Sequence, residues 1–239
     1  RILNFCLSIG FESLPSIIWR KSTNAPNKFM GSGMYPVGSH VTLEHEHILI
    51  LRKGPRRIFD SPESKSNRNS SAFFWEERNK WFSDTWFDVH GKLQNIDVSR
   101  RERSAAYPFE LAYRLVNMFS VKKDLVLDPF LGTGTTTRAA LCSERNSVGF
   151  ERDNKLSALI DKEIRGSLDF YNNYVEERLD KHLEFINTRV ESGKEAKYKL
   201  NNHEGFCVSS QEVDIFLNKI SEVTISSSEY EVLYEPLGR

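Results

Sequence analysis

The chain has 239 residues, 39% of them hydrophobic and 28% charged, and its 33 basic and 33 acidic side chains cancel to a formal net charge of zero. That length suits one large domain or a main domain with an insertion. No apolar run approaches the roughly 20 residues of a membrane span, nothing at the start has the order of a signal peptide, and Cys6, Cys142 and Cys207 are too few and too scattered for a disulfide framework or a zinc site.

These features predict free thiols and a reducing compartment: the cytoplasm, where the nucleoid lies, or a nucleus. The zero net charge conceals an uneven distribution. Residues 52–104 carry 12 basic and 8 acidic side chains, and residues 161–239 carry 10 and 16. A polyanion partner reads a local patch, so a zero total does not exclude one.

The chain opens on Arg-Ile-Leu-Asn-Phe, with no capping residue ahead of an amphipathic pattern over residues 2–9. This start reads as a piece of a longer polypeptide. Strands are predicted at Ser16–Arg20 (SIIWR) and His47–Lys53 (HILILRK), joined by a Gly/Pro/Asn/Ser-rich loop from Ser22 to Ser39. Residues 54–104 form a polar, basic stretch interleaved with aromatic residues and without a clear period. Pro108–Ser120 reads as a helix whose buried face carries Leu111, Leu115, Val116, Met118 and Phe119. A strand (Asp124–Leu127), a Gly/Thr turn, a helix (Thr136–Ser143) and a strand (Ser147–Phe150) follow. One long helical stretch is predicted from Asn154 to Val190, with tail strands near Gly205–Ser209 and Glu229–Tyr234. Strand, glycine turn, helix and strand make half of an open α/β sheet, in which ligands sit outside the carboxyl ends of the strands.

That turn reads LVLDPFLGTGTTT over residues 125–137. Gly132 and Gly134 let the backbone approach a ligand closely. The hydroxyls of Thr133, Thr135 and Thr136 and the first amides of the helix are donors, and Asp128 adds a negative charge. Donors alone suit a phosphate; donors beside a carboxylate suit a zwitterion better. A P-loop lacks its lysine here, a dinucleotide fold would have Thr137 at its third glycine, and a turn with no ligand is the bland alternative. Glu151 closes the second strand, where a carboxylate can accept both hydroxyls of a ribose; its bland alternative is a solvated loop acid.

The stretch SAAYPFELAYRLVNMFSVKKDLVLDPFLGTGTTTRAA…NSVGFERD, residues 104–153, resembles motifs X, I and II of the S-adenosylmethionine-dependent DNA amino-methyltransferases, the N4-cytosine/N6-adenine type with the beta-class motif order. GFESLPSIIWRKS and HEHILILRKG resemble the last strands of that family's catalytic half, and the aromatic block FFWEERNKWFSDTWFDV occupies its target-recognition slot. The resemblance covers roughly residues 1–165. It implies an α/β, open, mostly parallel doubly wound sheet (Rossmann-like methyltransferase fold) with an inserted target-recognition region. Residues 1–53 would be the C-terminal part of the catalytic half, 54–104 the target-recognition region, 105–165 the S-adenosylmethionine-binding half, and 166–239 a helical extension with C-terminal strands.

Carried onto these positions, the resemblance implies S-adenosylmethionine as cofactor. Asp128 would meet the methionine ammonium, Gly132, Thr133, Gly134, Thr135 and Thr136 would cradle its carboxylate, and Phe130 would line the pocket. Ala106, Tyr107 and Pro108 would close over the methionine end, and Glu151 would hold the ribose, with Phe150 or Arg152 near the adenine. The implied activity is site-specific methyl transfer to the exocyclic amine of a flipped base in double-stranded DNA, leaning to N4 of cytosine over N6 of adenine, in a restriction-modification setting. Among Arg56, Arg57, Arg68, Arg100, Arg101 and Arg103, two or three would meet phosphates. No membrane partner is implied, and a homodimer is compatible with the family.

One departure stands out. The family's [Asp/Ser/Asn]-Pro-Pro-aromatic motif has no counterpart, because Pro-Pro is absent from all 239 residues. The expectation is that this catalytic motif lies upstream of Arg1, and no catalytic residue is assigned within the chain. Two rivals stand beside this reading: an NAD-linked oxidoreductase with no DNA affinity, and a methyltransferase-like DNA-binding subunit without catalysis. His45 and His47 share one face of a strand, but two ligands without a third do not make a metal site. Most of the aromatic block is expected to pack in a core. The acidic tail would be repelled by DNA, so it is expected to pack against the cofactor region or a partner chain.

Overall fold

The computed structural model describes residues 1–21, 44–90, 107–166, 168–227 and 229–238. The Ser22–Ser39 loop, Ala106 and the arginines at 100, 101 and 103 lie outside the described residues. Contacts divide the chain into two compact units, one drawn from residues 1–57 and 81–95 and the other from 58–80 and 96–239.

The first unit begins with helix α1 (Ile2–Ser8), which buries none of its residues. Strand β2 (Ile17–Arg20) lies between β3 (His45–Ile48), antiparallel to it, and β5 (Thr85–Trp86), parallel to it. Along β2 the side chains alternate: Ile17 and Trp19 are buried while Ile18 and Arg20 are exposed, the period-2 pattern of a strand with one covered face. The buried Trp19 indole donates to the Val89 carbonyl at 2.9 Å, and Trp86 donates to the Trp81 carbonyl at 3.0 Å. The single strand expected at 47–53 is two, because β3 pairs with β2 whereas β4 (Leu51–Lys53) pairs with β1 (Phe11–Ser13). A change of partner breaks the strand at Leu49 and Ile50.

The second unit contains the predicted strand–turn–helix–strand. Strand β6 (Leu125–Asp128) runs parallel to β7 (Asn146–Gly149), with Asp128 opposite Gly149. Helices α4 (Phe109–Phe119) and α5 (Thr135–Cys142) pack on each other and α5 packs on both strands. The opposite side of the pair is open: Leu125, Leu127, Val148 and Phe150 are exposed. In α4 the buried set differs from the expected one. Leu111 and Val116 are buried, but Tyr113, Arg114 and Asn117 are buried with them and Phe119 is exposed. Polar partners make this burial tolerable, since Arg114 Nε donates to Glu110 at 2.6 Å and Asn117 donates to Ser143 at 3.0 Å.

Residues 58–80 are not the irregular stretch their composition suggested. Ser61 caps helix α2 (Pro62–Ser70), accepting from the Ser64 amide at 3.1 Å with Pro62 in the first turn, and α3 (Trp75–Trp81) follows. The helical stretch from 154 breaks into a 3₁₀ turn (Asn154–Leu156), α6 (Ser157–Arg165) and α7 (Leu168–Glu191), with Gly166 as the C-cap of α6. Helix α7 buries Tyr171, Val175, Leu179, His182 and Ile186, a stripe at helical spacing.

The tail adds β8 (Tyr198–Lys199) paired with β9 (Phe206–Cys207), and a long hairpin of β10 (Asn218–Ser226) and β11 (Glu229–Pro236). That hairpin packs on α7 and reaches α5 despite its acidic composition. Asn172 exchanges two hydrogen bonds with Ile220 at 2.9 and 2.8 Å, and the Tyr234 hydroxyl donates to the Leu141 carbonyl at 2.8 Å. All three thiols are free, with Cys142 and Cys207 buried. Among the described residues no helix is long and apolar enough to cross a membrane.

Candidate functional site

The turn after β6 is built by its own backbone. The Phe150 amide donates to the Asp128 carbonyl and the Leu131 amide to the Phe150 carbonyl, both at 2.9 Å, so the turn is laid against the end of β7. Gly132 and Gly134 take φ of 57° and 83°, in the left-handed region where a side chain is strained. At Gly134 space is short as well, since an added Cβ would stand 3.3 Å from Ile160 Cγ2. Gly134 is the N-cap of α5 and no side chain caps that helix end. The first-turn amides of α5 therefore lack both intrahelical acceptors and a side-chain cap, and the helix dipole favours negative charge there.

Two carboxylates bracket this turn. Asp128 Oδ1 accepts the Phe130 amide at 2.9 Å, and Oδ2 accepts the Thr136 hydroxyl at 2.5 Å. The Tyr107 hydroxyl lies 3.4 Å from the same Oδ2 and hydrogen-bonds closely to Thr136 Oγ1. On the other side Glu151 Oε2 accepts the Gly132 amide at 2.9 Å and Oε1 accepts the Asp153 amide at 2.8 Å. Glu151 is thus a clasp on the glycine turn and not a free loop acid. It also lines a cleft of ≈ 740 Å³ whose walls include Leu131, Gly149, Asp153, Ile160 and Tyr230.

The structure therefore brings together Tyr107, Asp128, Gly132, Gly134, Thr136 and Glu151. Thr133 is half-buried in the turn and Thr135 is buried at the start of α5, while Pro108 is the N-cap of α4. Phe130 is 88% exposed and Phe150 61% exposed, so neither ring is packed into the turn. Arg56, Arg57 and Arg68 are exposed, with the Arg68 guanidinium 4.9 Å from the Phe59 ring centre. The aromatic block divides: Phe74, Trp81 and Trp86 are buried, and Trp75, Phe82 and Phe87 are exposed. His45 and His47 stack edge to face, 5.0 Å between ring centres.

A second polar cluster escaped the sequence reading because its members are far apart in the chain. His182, Glu76 and Glu212 bring ligand-type atoms within 4.8 Å of one another. Every one of them is engaged. Glu212 accepts amides of Trp75, Val208 and Ser209 at 2.8, 3.1 and 2.6 Å. His182 places Nδ1 3.0 Å from Glu76 and Nε2 3.0 Å from the Phe206 carbonyl, and stacks on Phe74 at 3.9 Å. Beside it Arg178 makes a two-pronged pair with Glu77 at 2.6 and 2.8 Å. This cluster fastens α3 to α7 and the tail.

A family model described as DNA methylase (N6_N4_Mtase) matches residues 1–162. The type II methyltransferase M.MthZI of Methanothermobacter thermautotrophicus is 47% identical over 240 residues, covering 100% of this chain and 66% of that protein. M.MjaI, a type II methyltransferase of Methanocaldococcus jannaschii, is 47% identical over 156 residues, 65% of this chain and 50% of that one. The chain thus spans between half and two thirds of the length of these two relatives. Among solved structures, TTHA0409 of Thermus thermophilus, in complex with S-adenosyl-L-methionine, shares 33% identity and a TM-score of 0.53 over 67% of this chain and 56% of that one. Its uncomplexed structure gives a TM-score of 0.55. The α/β methyltransferase fold is therefore the fold of this protein, and the chain belongs to the N6_N4_Mtase family of DNA methylases.

Proposed function

We propose that the turn between β6 and α5 holds S-adenosylmethionine for methyl transfer to the exocyclic amine of a base in double-stranded DNA. The observation that carries this is the pair of carboxylates, Asp128 and Glu151, on either side of a glycine turn that opens an uncapped helix. A carboxylate offers about four acceptor positions. Glu151 uses two on amides and keeps two, the number a ribose needs for its hydroxyls. Asp128 keeps capacity for an ammonium, and the first amides of α5 suit the amino-acid carboxylate. When bound, the cofactor supplies an electrophilic methyl group on a sulfonium.

The residues of this chain bind and orient. Asp128 and the α5 amides hold the methionine end, Glu151 holds the ribose beside the cleft, and Tyr107 reaches the methionine end from the start of α4. Rate is gained by proximity, with the amine nitrogen held in line with the methyl carbon. Transfer would form the N–C bond and break the C–S bond, with the sulfur departing as a neutral thioether and the amine proton passing to water. Residues 54–104 are read as the target-recognition region, with Arg56, Arg57 and Arg68 on phosphates and the exposed Trp75, Phe82 and Phe87 as stacking surfaces. Both N4 of cytosine and N6 of adenine are amines of the required kind. The protein would act in whichever compartment holds the DNA.

The test is incubation of the full-length polypeptide with duplex DNA and S-adenosylmethionine, digestion to nucleosides and mass identification of the modified base. N4-methylcytosine or N6-methyladenine supports the reading and names the target. Cofactor binding without any methylated base would assign the chain to a non-catalytic DNA-binding subunit.

A further inference from the structure

Tyr107 and Thr136 come from different elements, 29 positions apart, and meet at one carboxylate. Tyr107 directly precedes Pro108, the N-cap of α4, while Thr136 lies in the first turn of α5. The Thr136 hydroxyl has a single proton. Its 2.5 Å contact with Asp128 Oδ2 uses that proton, because an ionised carboxylate only accepts. The contact between Thr136 Oγ1 and Tyr107 must then be made with the proton of Tyr107. Burial raises the Tyr107 phenol above its ordinary value, with the charge of Asp128 acting in the same direction, so the proton is present at neutral pH. The phenol also stands 3.4 Å from Asp128 Oδ2 itself, a longer secondary contact, so the main path is the relay Tyr107 O–H to Thr136 O–H to Asp128 carboxylate, in which each bond polarises the next.

A threonine in a helix divides between two rotamers, since its hydroxyl can turn back to a carbonyl of the preceding turn. The Tyr107 hydroxyl favours the rotamer that reaches Asp128.

We infer that Tyr107 is a positioning residue: acting chiefly through Thr136, it orients the Asp128 carboxylate toward the ammonium of the ligand, so that affinity for the amino-acid end depends on the Tyr107 hydroxyl. This rests on the S-adenosylmethionine reading of the site and adds to it a division of labour. Tyr107 serves the amino-acid half of the ligand and leaves the nucleoside half, held by Glu151, untouched.

Titration calorimetry on the wild type, Tyr107→Phe, Thr136→Val, Thr136→Ser and the Tyr107→Phe/Thr136→Val double variant tests this with two ligands. S-adenosylhomocysteine carries the amino-acid end; 5′-methylthioadenosine lacks it. Tyr107→Phe and Thr136→Val are each expected to weaken S-adenosylhomocysteine by about 3- to 10-fold, the loss of one hydrogen bond. The double variant should be no weaker than Thr136→Val, Thr136→Ser should retain most of the affinity, and 5′-methylthioadenosine should bind all five proteins alike. Equal losses for both ligands would show a general loosening of the site and overturn the inference, as would additive losses or an unchanged Tyr107→Phe. A wild type that binds neither ligand would instead defeat the cofactor reading itself, and this inference with it.

Discussion

Asp128 and Glu151 accept hydrogen bonds from the turn they flank, beside helix amides that no side chain caps, whereas Glu76, Glu77 and Glu212 accept from His182, Arg178 and amides that hold α3 to α7 and the tail. Both groups lie in the same compact unit. The second group holds the features usually sought in an active site: a buried carboxylate at Glu212, a buried histidine between acceptors and a largely buried arginine–carboxylate pair. It is nevertheless a fastening, because each polar atom meets a protein partner. The turn is half exposed and chemically plain, yet there uncapped helix amides and a carboxylate lie side by side. Burial and close charge pairing mark structure in this protein, and uncapped helix amides beside a carboxylate mark the proposed ligand site.

The comparison breaks most directly at Arg178. The Arg178–Glu77 side chains are only 9% and 12% exposed, so Arg178→Met strands a buried carboxylate. A loss of about 3–5 kcal/mol in urea unfolding is expected, with ligand affinity intact in the folded fraction. A smaller loss would mean that Glu77 finds another cation. Asp128→Ala is the converse: unfolding changes little, but S-adenosylmethionine affinity falls about 10- to 150-fold, the worth of hydrogen bonds to a charged group. Unchanged affinity by calorimetry would sink the pocket assignment.

Gly134→Ala sits between the two classes. Its positive φ and the nearby Ile160 side chain predict about 1–2 kcal/mol of destabilisation together with weaker ligand binding. The smallest effect is expected at Lys181, paired with Glu177 across one turn of α7, where both side chains are more than 60% exposed. Lys181→Ala should shift stability by no more than about 0.5 kcal/mol; a larger shift would show that exposed pairs on α7 count for more than their burial suggests.

Much of the local structure around the glycine turn could be read from the residues in order. The β6–turn–α5–β7 unit was legible because its contacts are local: the strand period, Asp-Pro, the two glycines and the threonines lie within a few residues of one another, and backbone geometry then follows from steric rules. The place of Glu151 just past the strand end was legible, but its bond to the Gly132 amide was not. Helix α2 should have been, since Ser61-Pro62-Glu63 is a capping signal that the surrounding charge obscured. The buried set of α4 was not, because Tyr113, Arg114 and Asn117 look like a polar face until Arg178, Glu110 and Ser143 satisfy them, two of these from other elements.

By itself the sequence determined the glycine turn and its flanking strand and helix, the likeness of the chain to DNA methylases, and the absence of Pro-Pro from these residues. Tertiary structure alone decided how the side chains are used. It set Tyr107 against Thr136 across 29 positions, turned Glu151 into a clasp on Gly132, and tied Glu77 to Arg178 across 101 positions. The physical reason is range. Backbone conformation obeys neighbours a few residues away, while the partner of a polar side chain is chosen by whichever distant group arrives to relieve the cost of its burial.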